Sequence, residues 1–275
     1  MTPTVAIPDA PQRSAQDWMR LLEQRRQRTR TEVSAEEWEA RVDLAACYRL
    51  CAHYRMTDMI YNHISLRVPG RHDHFLINAF GLLYTEVSAS NLIKVDLDGR
   101  PVDAGDLDTN PAGFVIHAAI HRARPDVACV FHTHTRAGVA VSAQREGLLA
   151  MSQHAMRFHR RIGYHDYEGI ALDLEEQLRL VHDLGSHDAL ILRNHGLLTV
   201  GKTVGEAFNA MHRLELSCRA QLAAQATGQK IVQVPQAVVD ATWNNYQPGT
   251  RRPYGVMEWP AMLRKLDRLD PSYRD

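Results

Sequence analysis

Apolar residues along the chain follow two rhythms. One has the three-to-four spacing of a helix, the other the two-residue period or compact run of a strand. From Ala35 to His53 the spacing is helical, and Ser34 followed by Glu37 gives the capping-box start signal. Residues 61–68 (YNHISLRV) and 74–79 are predicted as short strands on either side of a Pro69-Gly70 turn. A turn-rich stretch from Leu97 to Gly105 leads to Asn110-Pro111, and the helical run Gly113 to Ala123 is stopped by Pro125. Residues 127–133 (VACVFHT) carry the strongest strand signal, with β-branched and aromatic residues in one compact apolar run. Asp173 with Glu176 opens another helix, which Gly185 closes. Residues 189–193 (ALILR) and 197–200 (LLTV) are strands flanking Asn194-His195-Gly196, and Thr203 with Glu206 caps a long helix to about Ala226.

The ends are less regular. Residues 1 to about 13 hold three prolines and little apolar pattern, so the segment 1–33 is assigned to a mobile N-terminal arm. Residues 34–230 read as a single mixed α/β domain, without repeats or a dividing linker. Residues 231–275 form a Pro- and Trp-containing extension with a short helix near 260–269, packing on the domain or on a neighbouring subunit.

Composition narrows the function classes. In 275 residues, 32 basic side chains balance 32 acidic ones, so no global field draws the chain to nucleic acid or to an anionic membrane. No apolar run approaches the length of a membrane-spanning helix, and the N-terminus lacks the layout of a secretory signal. Cys47, Cys51, Cys129 and Cys218 show no C-x-x-C pairing. They suit a reduced, cytoplasmic setting, with Cys47 and Cys51 as small apolar residues on one helix. Fifteen histidines make their positions the feature to follow.

His132 and His134 stand two apart on a predicted strand, so both imidazoles point to one face and can converge on an ion. Imidazole suits zinc and other borderline metals. An H-x-H pair alone is a weak signal. His72-Asp73-His74 has the same spacing, but beside a Pro-Gly turn it reads as exposed hairpin. His195, in a tight turn between two strands, is placed to project outward as a third ligand or to be a turn histidine without a role.

These segments, in this order, resemble the class II aldolase/adducin family over roughly residues 36–226. The matching pieces are YNHIS at 61–65, the run from Ile77 to Asp96, HAAIHRARPDVACVFHTHT at 117–135 and LRNHGLL at 192–198. The resemblance carries the family's three metal histidines onto His132, His134 and His195, and implies one divalent ion, zinc first, with manganese or iron as alternatives. It also implies a three-layer α/β/α sandwich around a mostly antiparallel central sheet, and a homo-oligomer, commonly a tetramer.

The departures from the family pattern bear on the substrate. Sugar-phosphate aldolases of the family carry a P-S-S-E stretch, and here Asn110-Pro111-Ala112-Gly113-Phe114 has neither the hydroxyls nor the carboxylate. A second phosphate-binding Thr-Gly reads Phe80-Gly81. Phosphate needs several hydrogen-bond donors, so a phosphorylated substrate is not expected. Asn62, Ser65, Asn78 and Gly81 are the candidate substrate contacts. The N-x-A-G-F form and the stretch from Arg157 to Gly169 resemble an adducin-like bacterial branch.

Aldol cleavage and decarboxylation both require a carbanion beside a carbonyl or carboxylate to be stabilised, which a three-histidine metal does as a Lewis acid. The reaction also needs a proton donor or acceptor. With the glutamate absent, His117, Tyr164 and Glu168 are the candidates. His117 reads equally well as a structural histidine bonding the loop backbone, and Glu168 as a brace for the turn before Gly169. The reading is a metal-dependent carbon–carbon lyase acting on a small unphosphorylated carbonyl or carboxylate compound. A non-haem iron oxygenase on the same ligands and a non-catalytic adducin-like binding domain are the alternatives.

Overall fold

The computed structural model describes residues 13–103, 107–169 and 175–275. Its strands are β1 (His63–Arg67), β2 (His74–Ile77), β3 (Ile93–Asp96), β4 (Cys129–Thr133), β5 (Ile162–His165), β6 (Ala189–Leu192) and β7 (Gly196–Gly201). They form one mixed sheet in the order β3-β2-β1-β4-β7-β6-β5. All neighbouring strands run antiparallel except β5 and β6, which are parallel. The helices are α1 (Ala15–Glu32), α2 (Ala35–His53), α3 (Pro111–Ala123), α4 (Arg136–Ser142), α5 (Gln153–Met156), α6 (Glu176–Leu184), α7 (Val204–Ala226), α8 (Gln236–Asn244) and α9 (Glu258–Leu269).

The two-residue period of the strands sorts side chains onto two apolar faces. On β4, Cys129 and Phe131 pack with Leu44 and Leu50 of α2 and Phe208 and Met211 of α7. Val130, between them, joins Ile116 and Ile120 of α3 and Leu180 and Leu184 of α6 on the other face. Ile191 and Leu197 follow the first set, Leu190 and Leu198 the second. Each such buried Leu, Ile or Phe contributes about 1.5–3 kcal/mol against the chain entropy. Helices on both faces of the sheet give the α/β/α sandwich.

Helix α2 spans the predicted residues, with the Ser34 side chain accepting from the Glu37 amide. Glu37 does not turn back on the cap; its carboxylate takes hydrogen bonds from buried Arg41 and from Lys94. Thr203 caps α7 through the Glu206 amide. Helix α6 starts at Glu176, and Asp173, expected to open it, lies outside the described residues. The four cysteines are buried thiols.

The stretch 15–32, assigned from sequence to a mobile arm, is instead helix α1 packed on the body. Ser14 accepts from the Asp17 amide while Asp17 accepts from the Ser14 amide, a closed capping box. Trp18, Leu21 and Leu22 lie on the core, and Arg25 donates to the Leu92 carbonyl at 2.8 Å. Four large apolar residues, Trp18, Met19, Leu21 and Leu22, bunched at the start of a run of arginine and glutamine, are too few to show as a stripe. Residues 1–12 lie outside the described residues.

The C-terminal stretch also lies on this chain's own body. Trp259 Nε1 donates to Asp43 at 2.9 Å, and the Ala89 and Ser90 amides donate to the Tyr273 and Asp275 carbonyls.

Candidate metal centre

The β4–β7 ladder ends at one edge with Thr133 paired to Leu197, and the candidate centre is built on that edge. His132 is the penultimate residue of β4, His134 follows its end, and His195 sits in the β6–β7 hairpin. The hairpin turns through Asn194 in the left-handed region (φ 56°), which Asn tolerates better than most residues, and the His195 amide donates to the Leu192 carbonyl. His134 Nε2 then stands 2.8 Å from His132 Nε2 and 2.9 Å from His195 Nε2. One ring nitrogen from each of the three histidines lies within 4.8 Å of the others.

The partners of the outer ring nitrogens fix what the inner ones offer. His132 Nδ1 is 3.0 Å from the Leu197 carbonyl and His134 Nδ1 is 3.1 Å from Asp58 Oδ2. Both oxygens only accept, so both Nδ1 atoms carry the proton and both Nε2 atoms present lone pairs. Two lone pairs at 2.8 Å repel unless a cation sits between them. Outer-nitrogen bonding to a carbonyl and a carboxylate is also how metal-bound histidines are oriented. The donor set therefore fits a divalent ion.

Electrostatics favours the same state. Burial, with the neighbouring His195, His134, His63 and His117, holds the His132 imidazole well below the usual histidine range. Burial, then His134 and His165, lowers His195 to about 4. Neutral imidazole is the form that binds metal.

Beside the three histidines runs a buried polar chain. His63, opposite His132 in the β1–β4 register, lies with its ring 5.1 Å from that of His132. His63 Nδ1 is 2.8 Å from His117 Nε2, and His117 Nδ1 is 2.6 Å from Ser65 Oγ. Ser65 Oγ is in turn 2.7 Å from His121 Nε2. Gly113 of α3 makes room for this: a Cβ there would stand 2.5 Å from the His63 ring. All four side chains are buried.

The other predicted residues are distributed as follows. His117 is buried and reaches the three histidines only through His63. Ser65 is a link in the chain rather than an open contact. Asn62 is buried, and neither its amide nitrogen nor its oxygen has a partner among the described residues. Asn78 is committed to the fold: the Tyr48 hydroxyl lies 2.8 Å from its Oδ1 and against the Ile64 carbonyl, so its one proton is shared between two acceptors, and it accepts from the Ile64 and Asn78 amides, tying β1 to β2. Gly81 (φ 103°) backs onto Trp18 of α1, 2.7 Å from where a Cβ would stand. Tyr164 is not brought to the histidines. Its ring packs with the core under α7 and its hydroxyl accepts from the Leu148 amide at 3.1 Å. Glu168 shares a small crevice with His195, and its carboxylate is held by Arg179 at 2.7 Å.

Asp58 and His63 were not found by sequence reasoning. Asp58 stands in the connection between α2 and β1, where no spacing rule links it to His134. His63 carried a usable signal, since His63 and Ser65 share one face of a strand within the YNHIS segment.

The family model described as Class II Aldolase and Adducin N-terminal domain matches residues 42–222. An aldolase class 2 protein of Pseudomonas aeruginosa, so described without a reaction, is 46% identical over 88% of this chain and 95% of its own length. Alpha-adducin of Rattus norvegicus is 42% identical over 83% of this chain, which spans 33% of that protein. A crystal structure of an aldolase II superfamily protein from Pseudomonas syringae superposes with a TM-score of 0.86 at 53% identity, covering 90% of this chain and 99% of that one.

Proposed function

The chain belongs to the class II aldolase and adducin family, and we propose from its site that it is a divalent-metal-dependent carbon–carbon lyase for a small unphosphorylated carbonyl or carboxylate compound. The observation that carries this reading is the pair of converging Nε2 lone pairs on His132 and His134, fixed by the Leu197 carbonyl and Asp58. His132, His134 and His195 would hold the ion, with zinc as the first choice and manganese or iron as alternatives for this donor set. When bound, it supplies a Lewis acid for a carbonyl or carboxylate oxygen.

The remaining work falls to the chain's own residues. Asn62, with a buried and unpartnered amide next to His63, is suited to hold a substrate oxygen. His63 has its Nδ1 on His117 and its Nε2 bonded to no described residue, so Nε2 is the atom for proton transfer. His117, Ser65 and His121 would set whether that atom accepts or donates. Glu168 would lend its carboxylate at the rim of the His195 crevice, while Tyr164 would serve only by supporting β5. The active form is a cytoplasmic homo-oligomer, tetrameric as the resemblance implies.

A non-catalytic, adducin-like binding role is the second reading, favoured by the 42% identity to alpha-adducin and by the missing carboxylate in residues 110–114. Elemental analysis of untagged protein beside a His132→Ala/His134→Ala double variant separates the two. Near-stoichiometric zinc, manganese or iron that is lost in a folded double variant, with carbon dioxide or an aldehyde released from small keto and hydroxy acids, supports the lyase. A metal-free protein that takes up no added metal supports the binding domain. Oxygen uptake with ferrous iron would move the assignment to an oxygenase.

A further inference from the structure

A second cavity, of about 320 Å³, lies where Cys129 pairs with Gly201, at the far end of the β4–β7 ladder from His132 and His134. Four residues of strand separate the two ends, about 13 Å. Val127, Val200 and Gly201 belong to its wall, with Phe158 and the segment 246–254. Its charge is mainly cationic, although the chain as a whole is neutral.

The cations are held in a column. The Arg157 guanidinium carbon stands 3.8 Å from the Tyr254 ring centre and that of Arg251 3.9 Å, which for two guanidinium groups requires opposite faces of the ring. Arg157 Nη1 donates to Asn209 Oδ1 and Arg251 Nη1 to Tyr254 OH, both at 2.6 Å. The Nη2 edges remain, and Arg251 Nε is buried without a partner among the described residues.

Carboxylates face the cavity, but each is engaged by another group of its wall. Asp126 pairs with Arg124 and Asp188 with Arg161. Glu206 accepts from the Lys202 backbone amide, not from its ammonium. Among the described residues no carboxylate forms an ion pair with Arg157, Arg251 or Lys202. Three cations thus line one concave space without a carboxylate in ion-pair contact, Asp188 and Asp126 acting on Arg157 and Lys202 only at longer range, and a guanidinium edge is shaped for bidentate contact with a phosphate or carboxylate. Burial lowers Arg157 to about 10, and Tyr254 and Asp188 offset only part of that.

We propose that this cavity binds a small organic anion bearing two or more phosphate or carboxylate charges, held by Arg157, Arg251 and Lys202. The volume is that of a metabolite-sized pocket. Tyr254 is covered on both faces, so the ligand is recognised by its charges and not by ring stacking. The site stands apart from the metal centre and does not depend on the reaction proposed there.

Titration calorimetry with pyrophosphate and with citrate tests this, on the native protein and on protein stripped of metal by a chelating resin, because both probes also bind metals. The expected result is saturable binding of at least one probe, retained after stripping and weakened about tenfold or more by Arg251→Gln and by Lys202→Met. Lys202 is exposed at the rim, so K202M tests the site even where R251Q fails to fold. Tighter pyrophosphate marks a phosphate ligand, tighter citrate a polycarboxylate. No binding of either probe up to about 5 mM, binding lost on stripping, or binding indifferent to both substitutions overturns the proposal.

Discussion

Asp58 Oδ2 accepts a hydrogen bond from His134 Nδ1 at 3.1 Å, joining the α2–β1 connection to the end of β4 across 76 residues of sequence. The contact fixes the His134 tautomer and strengthens Nε2 as a donor. Outer partners of this kind are worth about 10–100-fold in metal affinity. Asp58→Ala should therefore weaken metal binding by that factor, with Asp58→Asn falling between it and the native protein. The Asp58 side chain is 43% exposed, so unfolding of the metal-free protein should change by less than about 0.5 kcal/mol. Competition against a chromophoric chelator reads the first effect and thermal unfolding the second. Equal affinity in D58A would leave Asp58 without a role in the site.

The close approach of Gly113 to His63 predicts a different kind of sensitivity. A Cβ at residue 113 meets the His63 ring at 2.5 Å, and that ring is boxed in by His117 and His132. Gly113→Ala should cost about 1–3 kcal/mol, as other overpacked sites do, despite the better helix propensity of alanine. An unchanged melting temperature would mean that β1 and α3 separate more easily than their packing implies.

Acid should destabilise the metal-free protein. Burial, with Arg67 nearby, lowers His121 to about 3, while His195 is lowered to about 4; His63 and His117 are also held well below their ordinary range, first by burial. Below about 6.5 the unfolded chain takes up protons that the folded chain refuses, so stability is lost as pH falls from 6.5 towards 4. For His121 alone the loss by pH 5 is about 2 kcal/mol. His165 acts oppositely: burial disfavours its charge, but Glu176 and Asp183 raise it, so its contribution is present in acid and lost on going alkaline. The depressed group outnumbers it. Thermal unfolding at pH 7 and pH 5 should differ by roughly 5–15 °C, and a flat profile would contradict this balance.

Much of the fold was legible because its long elements carry strong periodicity. Helices α2 and α7 have side-chain caps and many turns, and β4, β6 and β7 are compact apolar runs between turn residues. Strands β3 (IKVD) and β5 (IGYH) are four residues each, as are β2 and β6, but a lysine and a glycine break the apolar run that marks those two. Helix α1 was hidden by its charge. The three converging histidines were legible because their spacing on a strand and in a hairpin is a local property, read together with the family motifs. Asn78 and Gly81 show the limit. A motif marks a position, but Tyr48 and Trp18, which occupy those two residues, come from helices far away in sequence. Asp58 is the same case seen from the site's side.

Ser65 offers the sharpest test of the polar chain beside the metal centre. Its hydroxyl lies between His117 Nδ1 and His121 Nε2, with no other described partner. If the hydroxyl donates to His121, it accepts from His117 Nδ1–H, His117 Nε2 accepts from His63, and His63 Nε2 is left as an acceptor. Reversing every donor turns His63 Nε2 into a donor. Only a group that both gives and takes a proton permits the switch, which alanine is not. Ser65→Ala should cost about 1–3 kcal/mol through the unpaired ring nitrogens, while metal content stays at the native level. On a substrate found by the acid screen, turnover should fall about 10–100-fold with KM little changed, since proton transfer of this kind contributes on that order. The pH–rate profile should change as well, because His63 would be fixed in one tautomer. Native turnover and profile in a folded, metal-loaded S65A protein would reduce the chain to packing and leave proton transfer to a group outside it.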